Sequence, residues 1–165
     1  MLLNDKVKTV LQYLAWLVFF LAIAYFGLVM LVKNATQPYV KADAKVAKLV
    51  KQTSMSKVTK YYHLNRGTKS LSAAGKTASG KDAYFVYLPG TKKAYYYSAS
   101  EGVSESTVKQ NFQKKYPKKT VKEINLGWYK GQAVWEVTAT NSDGSYCYAI
   151  YQFKDGKLLS LVDKL

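Results

Sequence analysis

"YCYAIYQFKDGKLLSLV", Tyr146–Val162, sets two apolar runs on either side of a Lys-Asp-Gly turn. Such runs around Asp-Gly mark a β-hairpin, because the turn needs a residue that accepts a positive φ. A second stretch, "YFVYLPGTKKAYYYSA", Tyr84–Ala99, has the same form 62 residues earlier, with its own Gly-Thr-Lys-Lys turn. Working outward from both copies at that offset aligns Val46 with Val108, Val50 with Phe112, Tyr84 with Tyr146 and Val86 with Tyr148. The repeated unit is therefore larger than a hairpin.

Each copy reads as one helix followed by four strands. "YVKADAKVAKLVKQT" puts Tyr39, Ala42, Val46, Leu49, Val50 and Thr53 on one side at helical spacing, with lysine on the other. Pro38 stands where a helix start tolerates proline. Strands are expected at Val58–Asn65, Lys69–Thr77, Ala83–Leu88 and Ala94–Ser98. The pattern restarts at Gly102. Ser104 is a helix cap, Glu105 suits the positive end of the helix dipole, and Val108, Phe112 and Tyr116 share a side. Pro117 ends that helix, and strands follow at Val121–Tyr129, Gln132–Thr140, Ser145–Phe153 and Lys157–Val162. The turns "KG", "NSDG" and "KDG" between them are hairpin chemistry. The fold class is α+β: each helix packs over one face of an antiparallel sheet, and units this small are expected to dock against each other.

Ahead of the repeat, "YLAWLVFFLAIAYFGLVMLV", Tyr13–Val32, is twenty residues without a charge. A bilayer core needs roughly 20 residues of helix, and Tyr13 and Trp16 suit the headgroup level at one end. A cleavable signal peptide would have a shorter apolar region and a better small-x-small site than "VMLVKNA". The expected organisation is a short tail at 1–12, a transmembrane anchor at 13–32, a linker at 33–37, and folded units at 38–101 and 102–165. Lys6 and Lys8 favour an inside N-terminus, but Lys33, Lys41, Lys45, Lys48 and Lys51 follow the span, so lysine counting leaves the orientation open.

The net charge of +15 comes from 24 lysines and one arginine, Arg66, against ten acids. Setting aside Lys6, Lys8, Lys33 and Asp5 leaves 22 basic and nine acidic residues after the span, a balance of +13. That field attracts polyanions. Near-absence of arginine argues against nucleic-acid base reading, which relies on the bidentate guanidinium. Lysine suits diffuse attraction to phosphate. A single cysteine, Cys147, excludes an intramolecular disulfide, and its place between two tyrosines suits a packed small apolar residue.

No catalytic, metal or cofactor constellation is expected. The acids stand mostly at turns and helix starts. Glu136 is the exception, read as a solvent-facing residue opposite Trp135 that pairs with a lysine across the strands. His63, the one histidine, is read as structural or surface, since a zinc site needs several ligands. "NRGTK" and "PGTKK" lack phosphate-loop spacing. Two features remain. Lys114, Lys115, Lys118, Lys119 and Lys122 cluster around a helix end, either as a solvated face or as a contact for anionic polymer or lipid headgroups. Among fifteen tyrosines, Tyr95 and Tyr97 share one strand face, either for docking the two units or for binding a partner.

The second unit resembles a PepSY (cystatin-like) domain. The resemblance lies in its helix, the Gly131-x-x-x-Trp135-x-Val137 strand and the final Gly156-Lys157-Leu158-Leu159 hairpin. The whole layout, an N-terminal span, a degenerate first unit with "YYY" in its last strand and a second PepSY-like unit, resembles the TseB-like (YpmB) family of bacterial cell-wall elongation regulators. That resemblance implies a non-enzymatic protein with its N-terminus inside and its folded part outside the cell membrane, and no cofactor. It implies binding to a penicillin-binding protein or another membrane-bound partner. Two alternatives are a regulator or inhibitor of a secreted protease, a role implied by PepSY domains, and a lysine-rich module holding anionic wall polymer or lipid.

Overall fold

The computed structural model describes residues 5–165, so Met1–Asn4 of the expected tail lie outside the described residues. The chain forms two compact units that meet between Lys41 and Ala42. The first is a single helix. It belongs to α1, Asp5–Val50, whose apolar part is long enough to cross a membrane and has none of its most apolar window buried within the protein. A core helix of a soluble domain would be covered; this one exposes Phe19, Phe20, Phe26 and Leu31.

One expectation is corrected here. Residues 33–37 are helical, not a linker, and Pro38 lies inside the helix. "KNATQ" is polar but contains no glycine, and Thr36 turns its hydroxyl back to the Val32 carbonyl at 2.9 Å. Pro38 forfeits one ladder bond without forcing the chain out of helix.

The second unit, Ala42–Leu165, begins with the last turns of α1. There Ala42, Val46, Leu49 and Val50 form the expected stripe and pack on Leu71, Ala73, Phe85 and Tyr87. Strands β1 (Met55–Asn65), β2 (Lys69–Thr77), β3 (Asp82–Leu88) and β4 (Lys93–Ser98) form an antiparallel meander in that order. A 3-10 turn, Ala99–Glu101, leads to α2 (Glu105–Lys115), which Ser104 caps by accepting from the Thr107 amide at 3.1 Å. A second meander follows: β5 (Thr120–Tyr129), β6 (Gln132–Thr140), β7 (Tyr146–Gln152) and β8 (Leu158–Asp163).

The two sheets share one core. Tyr62, Tyr84, Val86 and Leu88 of the first sheet join Val108 and Phe112 of α2 and Leu126, Trp135, Val137 and Phe153 of the second. Trp135 is fully buried, its indole N–H donates to the Val103 carbonyl at 2.8 Å, and Tyr62 and Tyr84 meet it edge-on. Edge-to-face geometry sets ring hydrogens against the negative face of a neighbouring π-system. Two glycines allow the close approach. A Cβ at Gly127 would lie 2.5 Å from the Leu64 Cβ, and one at Gly102 only 2.1 Å from the Phe153 ring.

Candidate functional site

The tyrosines read as a shared face do share one, and the second sheet occupies much of it. Tyr95 stacks on Trp128 with ring centres 4.3 Å apart, and Tyr97 lies tilted on Phe153 at 5.0 Å. Their neighbour Tyr96 faces the other way, into the core under α1. Beside this join is an open cleft of about 570 Å³, lined by Tyr97, Glu101, Trp128, Gln132, Gln152 and Lys154, among others. Burial raises the Tyr97 hydroxyl above its ordinary pKa, with the neighbouring Tyr95 and Glu101 adding to the effect. Glu101 is held below the usual carboxylate range by the Ser98 amide and hydroxyl, which it accepts at 2.7 and 2.8 Å.

The five lysines at the end of α2 do not act alike. Lys119 is largely buried and donates to Asp163 at 2.6 Å and to Asn141. That ammonium and the Asn141 amide push the Asp163 carboxyl down to about 2. Lys114, Lys115, Lys118 and Lys122 are exposed. Lys115 sits 5.6 Å over the Tyr116 ring. The structure thus separates one lysine that ties β8 to the Tyr116–Thr120 connection from four that face solvent.

The reading of Glu136 is corrected. Its side chain is buried, and its partner is Arg66, from the β1–β2 turn, not a lysine. The same guanidinium lies 4.6 Å over the Tyr148 ring. A planar guanidinium can pair with a carboxylate and stack on an aromatic together, which an ammonium does poorly. Both faces of β6 are therefore covered: Trp135 points into the shared core, while Glu136 and Val134 meet Arg66 and Leu64. Strand alternation alone could not reveal this, since the cover comes from 70 residues away.

Several other acids hold structure. Asp82 pairs with Lys76 at 2.6 Å, Asp43 meets His63 at 2.7 Å, and Asp143 accepts from Ser145 in its turn. Glu105 receives both the Tyr62 hydroxyl and Lys60 at 2.6 Å, joining α2 to β1. Cys147 is buried, and loss of water raises its thiol pKa. Among the described residues no group of three His, Cys, Asp or Glu could hold a metal ion.

Comparison with known proteins agrees with this geometry. The chain is 28% identical over 119 residues to a protein of Bacillus subtilis (strain 168) described as "Probable cell wall elongation regulator TseB", spanning 71% of this chain and 73% of the relative. The fold matches the YpmB protein from Bacillus subtilis with a TM-score of 0.60 and 23% identity, over 73% of this chain and 95% of that one. The chain is TseB/YpmB-like. The chain has a mixed architecture, an apolar N-terminal helix followed by two four-stranded antiparallel sheets. No family model matches it.

Proposed function

We propose that this chain is a membrane-anchored regulator of bacterial cell-wall elongation that works by binding, without chemistry of its own. The likeness to the TseB relative carries the reading, and the uncovered apolar stretch of α1 supports the anchor. In this reading the N-terminus is cytoplasmic, residues 13–32 cross the membrane, and the folded unit lies outside as two PepSY-type halves, 38–101 and 102–165. Its partner is a penicillin-binding protein or another membrane-bound protein of the wall machinery. We assign the partner contact to the surface around Tyr95 and Tyr97, whose rings serve the sheet-to-sheet join on one side while Tyr97 borders the open cleft on the other. Large, fairly rigid aromatics beside a concavity are the usual anchors of protein interfaces.

A second reading has its own observation. Lys114, Lys115, Lys118 and Lys122 face solvent and pair with no carboxylate among the described residues, which suits diffuse attraction to anionic wall polymer or lipid. Lysine–phosphate attraction is screened beyond about 8 Å at physiological ionic strength. Crosslinking in living cells, followed by capture of the full chain, tests both. We expect a membrane-bound wall-synthesis protein to be recovered, with little sensitivity to added salt. Recovery that disappears with salt and with glutamine at the four lysines would favour the polymer reading instead.

A further inference from the structure

Four strands lie at sheet edges: β1 and β4 in one sheet, β5 and β8 in the other. An open edge is a template for another strand, and natural proteins blunt it with charge, bulges or cover. β1 carries Lys57 and Lys60 and two breaks in register; β5 carries Lys122 and Glu123 and one break. β4 begins with Lys93, and its Tyr95 and Tyr97 are already packed against Trp128 and Phe153. β8 differs. Leu158-Leu159-Ser160-Leu161-Val162 has no charge, its one irregularity falls at the start, and Leu161 and Val162 are 38% and 45% exposed.

The sequence of this edge complements itself. Antiparallel pairing of two copies about Ser160 sets Leu158 opposite Val162 of the second copy, Leu159 opposite Leu161 and Ser160 opposite Ser160. The same register brings Lys157 beside Asp163, which also holds Lys119 of its own chain, at both ends. Opposed unlike charges stabilise a strand pair and opposed like charges weaken it. Parallel pairing in register would set lysine on lysine and aspartate on aspartate. We propose that β8 is a self-association edge, through which two copies of this chain join their second sheets into one continuous eight-stranded antiparallel sheet about a two-fold axis at Ser160. An isologous contact of this kind closes on itself, since each β8 edge is used by the other copy's β8. The inference does not depend on the wall-regulator reading.

The full chain in detergent micelles provides the test, because Cys147 is buried and is the only native cysteine. Directly opposed strand residues bring their Cβ atoms to about 4.5–5.5 Å, close to disulfide reach. Ser160→Cys should therefore oxidise to a covalent dimer at least about tenfold faster than Ser79→Cys on the exposed β2–β3 turn, given the raised effective concentration at a paired site. Native mass spectrometry should show wild type as a dimer and Leu161→Lys as a monomer, with the circular-dichroism spectrum of the folded chain unchanged. Equal crosslinking at the two cysteines would overturn the proposal. So would a dimer that survives Leu161→Lys, as one held by α1 would, or a wild-type chain that is monomeric and leaves the edge to another protein's strand.

Discussion

Tyr84 and Tyr146 occupy the same place in the two halves of the folded unit, yet Tyr84 is buried and Tyr146 is 47% exposed. Their neighbours Phe85 and Cys147 are equivalent too, and both are buried on the face that a helix covers. The difference shows how the copies dock. The first sheet turns its open face onto the helix-covered face of the second, so Tyr84 meets Trp135 and Phe153. The second sheet has no third copy behind it. Its open face keeps Tyr146 and Tyr148 stacked on each other and receives Leu64, Arg66 and Ser70 from the first half. Repetition thus produces one sheet covered on both faces and one with surface to spare.

The largest effect should come from breaking the join. Trp135→Ala removes the ring on which both sheets converge and should cost about 3–5 kcal/mol in chemical denaturation. A loss below 1 kcal/mol would mean that the sheets do not depend on this contact. Next, Arg66→Met leaves Glu136 buried without its partner. Breaking a buried pair costs up to about 5 kcal/mol, and the half-exposed guanidinium reduces the expected loss to about 2. Arg66→Lys should recover only part of it if stacking on Tyr148 matters as well as charge.

Gly102→Ala comes third. Its φ of −162° is ordinary extended backbone, so the cost arises from the Phe153 ring alone and should be about 1–3 kcal/mol. Phe153→Leu in the same chain should restore part of the loss. The smallest effect is Tyr146→Ala, which should change stability by no more than about 0.5 kcal/mol, against several for Tyr84→Ala at the equivalent site. Equal losses at the two sites would erase the distinction between the sheets.

A pH series separates one further contact. Asp163 titrates at about 2 in the folded chain, below its unfolded value of about 3.9. Its stabilising contribution is therefore present above pH about 4 and fades as pH falls toward 2. The melting-temperature gap between wild type and Asp163→Asn should be constant from neutral to mildly acidic pH and close below about pH 4.

Much of this was readable in the sequence. The offset that pairs Val46 with Val108 and Val50 with Phe112 identified two helix stripes, and all four residues are buried as that pattern requires. The eight strands follow from turn chemistry that is local, as at "KDG" and "NSDG". What escaped was non-local. Glu136 looks solvent-facing by alternation because nothing nearby announces that the β1–β2 turn will bring Arg66 onto it. Residues 33–37 look like a linker by composition, but a helix commonly ends where a glycine or other capping residue satisfies its last carbonyls, not merely where polar residues begin. Tyr95 and Tyr97 share a face, as strand alternation requires, but their partners Trp128 and Phe153 lie in the other half of the repeat.

In the proposed function α1 anchors the folded unit outside the cytoplasmic membrane. Because Cys147 is buried, the chain offers a clean background for one introduced thiol. Ser79→Cys, on an exposed turn, should react with a membrane-impermeant maleimide in intact cells as fully as after lysis, while wild type stays unlabelled. Labelling that appears only once the membrane is broken would place the folded unit in the cytoplasm and contradict the account.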